Sequence, residues 1–416
     1  MGQLRVLRIV GEHAGNTGSG NFPGVVTSRV DGSLVEPTHP FLAIRRLDSL
    51  TGLRAFAALA VFFDHAQFLV TGEPRSLIHY VGAQGAMGVT FFFCLSGFVL
   101  AWSDTVQTRG RFWWARMARI WPAYLVALLG GLIVTLAAGG TDAIVGKLVV
   151  TAVLIQAWFP NYDWSFAVNG VSWSLSCEAF FYLLFPFLLV ALRRSGARLR
   201  YAFLIGTVVF AFATGFVGNA IGGSAGTWFT DTLPVTRLGA FVTGIVLALE
   251  VKNGRFPAVN RFGALGLAVV VYLAGSFWLT RWTNAALPVV PFALLIAAYA
   301  QRDLTGHRTV FARPRVVWLG EISFCFYLVH QLVIRAATPL GITSGVGVAI
   351  LRTVACLSIA VVAAWVLHRA VELPANTWLR RRGPGRNARS GAAPRVDAAF
   401  TAPGDRPQRA PAGPLA

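Results

Sequence analysis

A chain of 416 residues that is 55% hydrophobic and only 13% charged, with a mean hydropathy of +0.61, carries more apolar surface than a water-soluble core can bury. That excludes a soluble globular domain and points to an all-α, polytopic transmembrane bundle. The formal net charge of +19 would invite a nucleic-acid partner, but the arginines fall between apolar segments and in the tails, where the positive-inside rule puts them, so no nucleic acid is expected.

In chain order, residues 1–46 are rich in Gly, Thr and Ser and lack the apolar core of a signal peptide. They read as a disordered cytoplasmic tail ahead of a membrane domain over 47–382. Apolar segments follow at 53–71, 86–103, 115–138, 143–160, 172–192, 201–221, 234–251, 262–280, 285–301, 316–337 and 345–370. If every basic cluster between them faces the cytoplasm, successive clusters must be joined by an even number of crossings. Three segments separate Arg119 from Arg193, so one of them should not span. The middle one runs into Pro160, Asn161 and Asp163 and reads as re-entrant or interfacial, a wall of a substrate chamber at 143–172. About ten crossings remain, with both termini inside. Residues 383–416, rich in Pro, Gly, Ala and Arg, read as a disordered cytoplasmic tail.

The first membrane segment, LTGLRAFAALAVFFDHAQFLV, holds Arg54 and His65. Eleven residues make about three turns and about 16 Å of rise, so the two share one helix face at two depths. Charged and imidazole groups are costly in a bilayer and mark functional candidates. Arg54 suits a phosphate, and His65 suits proton chemistry. Glu178, in WSLSCE, is placed by residue count about 9 Å below the outer boundary, at the depth of His65. A carboxylate beside an imidazole is a general-base arrangement, so Glu178 is the first candidate to orient His65. Asp64 is the second, although adjacent helical residues point about 100° apart. Arg116 and Arg119 stand at i and i+3 in RFWWARMARIWPAY and with Arg54 would make an anion clamp.

Gly85, Gly88 and Gly97 sit among aromatics, which permits close helix packing. His330, in SFCFYLVHQLVI, reads either as an acceptor-binding group at the depth of His65 or as a satisfied core histidine. Trp173 and Ser176, beside Glu178, are further acceptor-binding candidates. Cys94, Cys177, Cys325 and Cys356 lie inside apolar segments without CxxC or zinc-type spacing, so neither a disulfide nor a metal is indicated.

Six motifs then assemble in order: GLRAFAALAVFFDHA, GVTFFFCLSGFVLAW, RMARIWPAY, VSWSLSCEAFFYLLFP, LGEISFCFYLVH and VELPANTWLRRR. Together they resemble the acyltransferase 3 family of integral membrane O-acyltransferases. The family's Arg-x10-His pattern falls on Arg54 and His65, its Arg-x-x-Arg on Arg116 and Arg119, and its Ser-Leu-Ser-x-Glu on Ser174 to Glu178. Ala179 stands where a second acid is common. The opening RLDSLTGLRA looks closer to actinobacterial members, including macrolide O-acyltransferases. The resemblance implies an acyl-coenzyme A donor from the cytoplasm, no bound cofactor, and a hydroxyl-bearing glycan, glycolipid or macrolide acceptor. A carrier or flippase using the same buried groups is the rival reading.

Overall fold

The computed structural model describes residues 46–71, 82, 84–103, 108–278, 286–341 and 345–384, together with a two-residue antiparallel ladder in which Arg29 and Val30 pair with Leu34 and Ser33. The chain divides into two units, residues 1–46 and 47–416. Apart from the ladder, the expected N-terminal tail lies outside the described residues, as does the expected C-terminal tail beyond residue 384.

The second unit is all helical among the described residues. Its principal helices are α1 (Asp48–Ala66), α2 (Met87–Ser103), α3 (Arg109–Ala137), α4 (Ile144–Ala152), α5 (Trp173–Arg194), α6 (Ala197–Ile221), α7 (Pro234–Lys252), α8 (Arg261–Trp278), α9 (Val289–Leu304), α10 (Pro314–Ala337), α11 (Val346–Leu367) and α12 (Leu373–Arg382). Among the described residues, six stretches are long and apolar enough to cross a membrane: Arg109–Ala137, Gly170–Arg194, Ala197–Ile221, Gly223–Lys252, Pro314–Leu340 and Val346–Arg382. The charge pattern led us to expect about ten. The shortfall has local causes: α2 and Arg261–Gly275 are apolar but shorter, and α1 places Arg54, Asp64 and His65 within 19 residues.

Outward-facing apolar side chains are abundant on the outer helices, with Ile133, Ile205 and Leu351 each about two-thirds exposed. A bilayer, which solvates leucine and isoleucine as well as a protein core does, makes that surface stable. The centre is α7, buried along nearly its whole length. It crosses α2 at two glycines: a Cβ on Gly97 would lie 2.0 Å from the carbonyl oxygen of Phe241, and one on Gly244 would lie 1.9 Å from that of Cys94. Helix α1 is fixed at its start, where Asp303 of α9 accepts from the Ser49 amide (2.8 Å) and hydroxyl (2.5 Å), a carboxylate satisfying one of the open N–H groups of a helix N-terminus.

The segment at 143–172 does not form a spanning helix. Helix α4 has nine residues, about 14 Å of rise, and the chain then bends through left-handed Leu154 (φ 62°) and Val168 (φ 59°). Its last residues pack on the middle of α10: Asn169 Nδ2 donates to the Leu328 carbonyl (3.0 Å) and Tyr327 Oη to the Val171 carbonyl (3.0 Å). Helix α5 therefore begins inside the bundle rather than at its edge.

Candidate active site

Arg54, Arg116, Arg119 and Glu178 line one cavity of about 590 Å³ enclosed by α1, α2, α3, α5 and α10. The three arginines come from two helices, and Arg111 and Arg380 also line the cavity, both of them exposed. The Nε of Arg116 is buried without a hydrogen-bond partner among the described residues, so this guanidinium keeps a donor in hand. Arg119 lies 3.8 Å from Glu372 Oε1. Glu372 is itself held by His368 Nδ1 (2.7 Å) and by the Cys325 thiol (3.2 Å). The ligating atoms of Cys325, His368 and Glu372 lie within 4.8 Å of one another.

Glu178 belongs to this charged cavity. Its Oε2 accepts from Tyr182 Oη at 3.0 Å, Tyr182 meets Ser96 Oγ at 3.2 Å, and the carboxylate is within electrostatic reach of Arg54, Arg116 and Arg119. The expected pairing of Glu178 with His65 is not what the fold brings together. Counting residues from an outer boundary at residue 172 misplaces Glu178, because α5 starts well inside the bundle. Asp64 does not orient His65 either: its side chain accepts from Gln67 Nε2 (3.3 Å) and points away, as the turn between adjacent residues requires.

The partner of His65 is His330. Their nitrogens, Nδ1 of His65 and Nε2 of His330, are 3.4 Å apart. His65 Nδ1 also faces the Val61 carbonyl at 2.9 Å, and His330 Nδ1 faces the Phe326 carbonyl at 3.2 Å. A carbonyl only accepts, so in the neutral rings both Nδ1 atoms carry the proton. The one proton on His65 Nδ1 is then shared, mainly with the Val61 carbonyl and at longer range with Nε2 of His330, and Nε2 of His65 is left as the basic lone pair. His330 is fully buried and stacks on Phe326 with a centroid distance of 5.6 Å. Neither histidine lines the large cavity, but Tyr327 does, and its ring lies 5.7 Å from that of His330.

Of the remaining candidates, Ser176 is buried with its hydroxyl unpartnered among the described residues, and Trp173 packs edge-on against Phe93 at 6.3 Å. Neither lines the large cavity, whereas Ser174, one turn from Glu178, does, with its hydroxyl 2.8 Å from Tyr327 Oη. Tyr182, Tyr327 and Glu372 escaped the sequence reading. Tyr182 was signalled only by its i+4 spacing from Glu178, and Glu372 by its place in the closing motif.

The model of the acyltransferase domain family, acyltransferase 3, matches residues 47–369, and the chain belongs to that family. It is an acyltransferase and an integral membrane protein. Acyltransferase MdmB of Streptomyces mycarofaciens is 38% identical over 376 residues, covering 82% of this chain and 94% of that protein. A putative O-acetyltransferase of Staphylococcus aureus is 26% identical over 329 residues, 70% of this chain and 51% of that protein. Nodulation protein 10 of Rhizobium leguminosarum bv. viciae is 27% identical over 321 residues, 70% of this chain and 83% of that protein. No solved structure matches.

Proposed function

We propose that this acyltransferase moves an acyl group from acyl-coenzyme A to a hydroxyl of a sugar-containing acceptor, a cell-surface glycan, a glycolipid or a macrolide-type metabolite, at the cell membrane. The observation that carries the reading is the convergence of Arg54, Arg116 and Arg119 on one cavity with an unspent guanidinium donor, since guanidinium groups match phosphate oxygens in charge and geometry. In this account the coenzyme A phosphates dock there, with both termini cytoplasmic and about ten crossings once the shorter helices are counted. The rise of about 16 Å from Arg54 to His65 leaves room for an extended pantetheine arm.

The thioester then reaches past Tyr327 to His65. Nε2 of His65 takes the proton of the acceptor hydroxyl as its oxygen attacks the thioester carbonyl. The tetrahedral intermediate collapses with breakage of the C–S bond. The coenzyme A thiolate leaves with the proton returned by the imidazolium, and the ester remains on the acceptor. His330 holds the ring throughout.

The test is transfer of label from acetyl-, propionyl- and longer acyl-coenzyme A into lipid and small-molecule extracts of membranes containing the protein. Label in a product, lost in His65→Ala and Arg54→Ala at matched expression, is the expected result. No product from any donor would displace this reading in favour of a carrier.

A further inference from the structure

A second cavity, of about 350 Å³, lies among the end of α3, the start of α4, the broken stretch after it and α10. The two cavities share two walls. On α10, Tyr327 lines the large one and Gln331 the small one, four residues and about 6 Å apart, with His330 between them in sequence. On the stretch before and into α5, Gly170 lines the small cavity and Ser174 the large one.

Their charges differ. The large cavity presents Arg54, Arg111, Arg116, Arg119 and Arg380 against Glu178, while the small one balances Lys147 and Arg335 against Asp142 and Asp163. Moreover, both small-cavity cations are occupied. Lys147 Nζ pairs with Asp142 at 3.3 Å, and Arg335 donates to the Val168 carbonyl (2.7 Å) and to Thr135 Oγ1 (3.1 Å), pinning the left-handed turn of the wall. The two cations and two carboxylates of the lining cancel, so an anion would find no net positive charge there. What remains on offer is hydrogen bonding and an aromatic face. The Oε1 of Gln331 is buried without a partner among the described residues, Asp163 adds a carboxylate, and the Tyr162 and Phe166 rings stack at 4.4 Å. Gly170 makes room for the amide: a Cβ there would lie 2.7 Å from Gln331 Oε1.

We infer that the small cavity binds an uncharged polyhydroxylated ligand, the sugar of the acceptor, through Asp163 and through Gln331, the residue that follows His330 on α10. A side-chain amide and a carboxylate accept from adjacent hydroxyls, and a stacked aromatic pair suits the apolar face of a sugar ring. The inference rests on the acyl-transfer reading for its role but on the cavity alone for the ligand class.

The test uses full-length protein in nanodiscs with Thr141→Cys, an exposed rim position, labelled with an environment-sensitive fluorophore; the native cysteines are buried. Methyl glycosides of a hexose and a 6-deoxyhexose are titrated, with glucuronate and coenzyme A as charged controls. We expect a saturable response to the uncharged glycosides, weakened about tenfold by Gln331→Leu, the loss of one buried hydrogen bond, and no response to coenzyme A. Gly170→Val, which displaces the Gln331 amide, should weaken it similarly. In the labelled-donor assay Gln331→Leu should raise the acceptor KM with the acyl-coenzyme A KM unchanged. A response to coenzyme A but not to glycosides, or an acceptor KM unmoved by Gln331→Leu while transfer proceeds, would overturn the assignment. Glycoside binding in a protein that transfers no acyl group would instead leave the cavity assignment standing and remove the transferase mechanism.

Discussion

Arg54 and His65 stand on one helix face, yet their surroundings are opposite. Arg54 opens on a cavity crowded with guanidinium groups, some exposed and at least one with an unused donor. His65, half-buried, sits in a pairing in which each Nδ1 faces a carbonyl and, among the described residues, one imidazole nitrogen alone is uncommitted. Redundant charge suits binding, where each group adds a share. A single committed base suits chemistry, where removing it leaves no substitute.

The sharpest way to break that contrast is at the single base. His65→Ala should lower kcat by about a thousandfold, the usual worth of a general base, without changing the affinity for coenzyme A. A large loss of affinity instead would mean that the two ends of α1 are not separate. Next comes the frame that holds both ends in register. A Cβ on Gly320 of α10 would lie 1.8 Å from the Thr51 carbonyl oxygen on α1. Gly320→Val should therefore cost about 3 kcal/mol in stability, read as a fall in thermal midpoint in detergent, and should damage binding and transfer together.

Arg116→Ala should raise the acyl-coenzyme A KM by about tenfold, the worth of one charge-assisted hydrogen bond, and leave kcat near its starting value. A lysine at 116 should recover only part of this, because it cannot engage a phosphate in two parallel bonds. The smallest effect is expected at His330→Phe, which keeps the stacked ring but removes the second, longer acceptor for His65 Nδ1–H beside the Val61 carbonyl. We expect kcat to fall roughly fivefold, as for one neutral hydrogen bond, with both KM values unmoved.

The sequence made the two ends of α1 visible because polar groups inside apolar helices are costly enough to be conspicuous. The same logic exposed Arg116 and Arg119, and the stalled segment at 143–172 followed from the parity of charges. The close crossings at Gly85, Gly88 and Gly97 are also there, Gly85 against the Ala60 carbonyl and Gly97 against that of Phe241. What could not be read was depth on helices that start inside the bundle. Glu178 was assigned to His65 by residue count, and the broken stretch ahead of α5 makes that count meaningless. His330 was seen at the right depth, but choosing it as the partner requires knowing that α1 packs on α10, a contact across 265 residues. Span number was blurred for a similar reason, since α2 and α9 are 17 and 16 residues long and only their neighbours make them part of one bundle.

The separation of binding from chemistry along α1 is tested most directly by purifying His65→Ala and measuring coenzyme A binding by calorimetry beside acyl transfer from labelled acetyl-coenzyme A. Binding equal to that of the intact protein with transfer reduced about a thousandfold is the result this account predicts. Transfer at an undiminished rate would contradict it, and the base would have to be sought elsewhere.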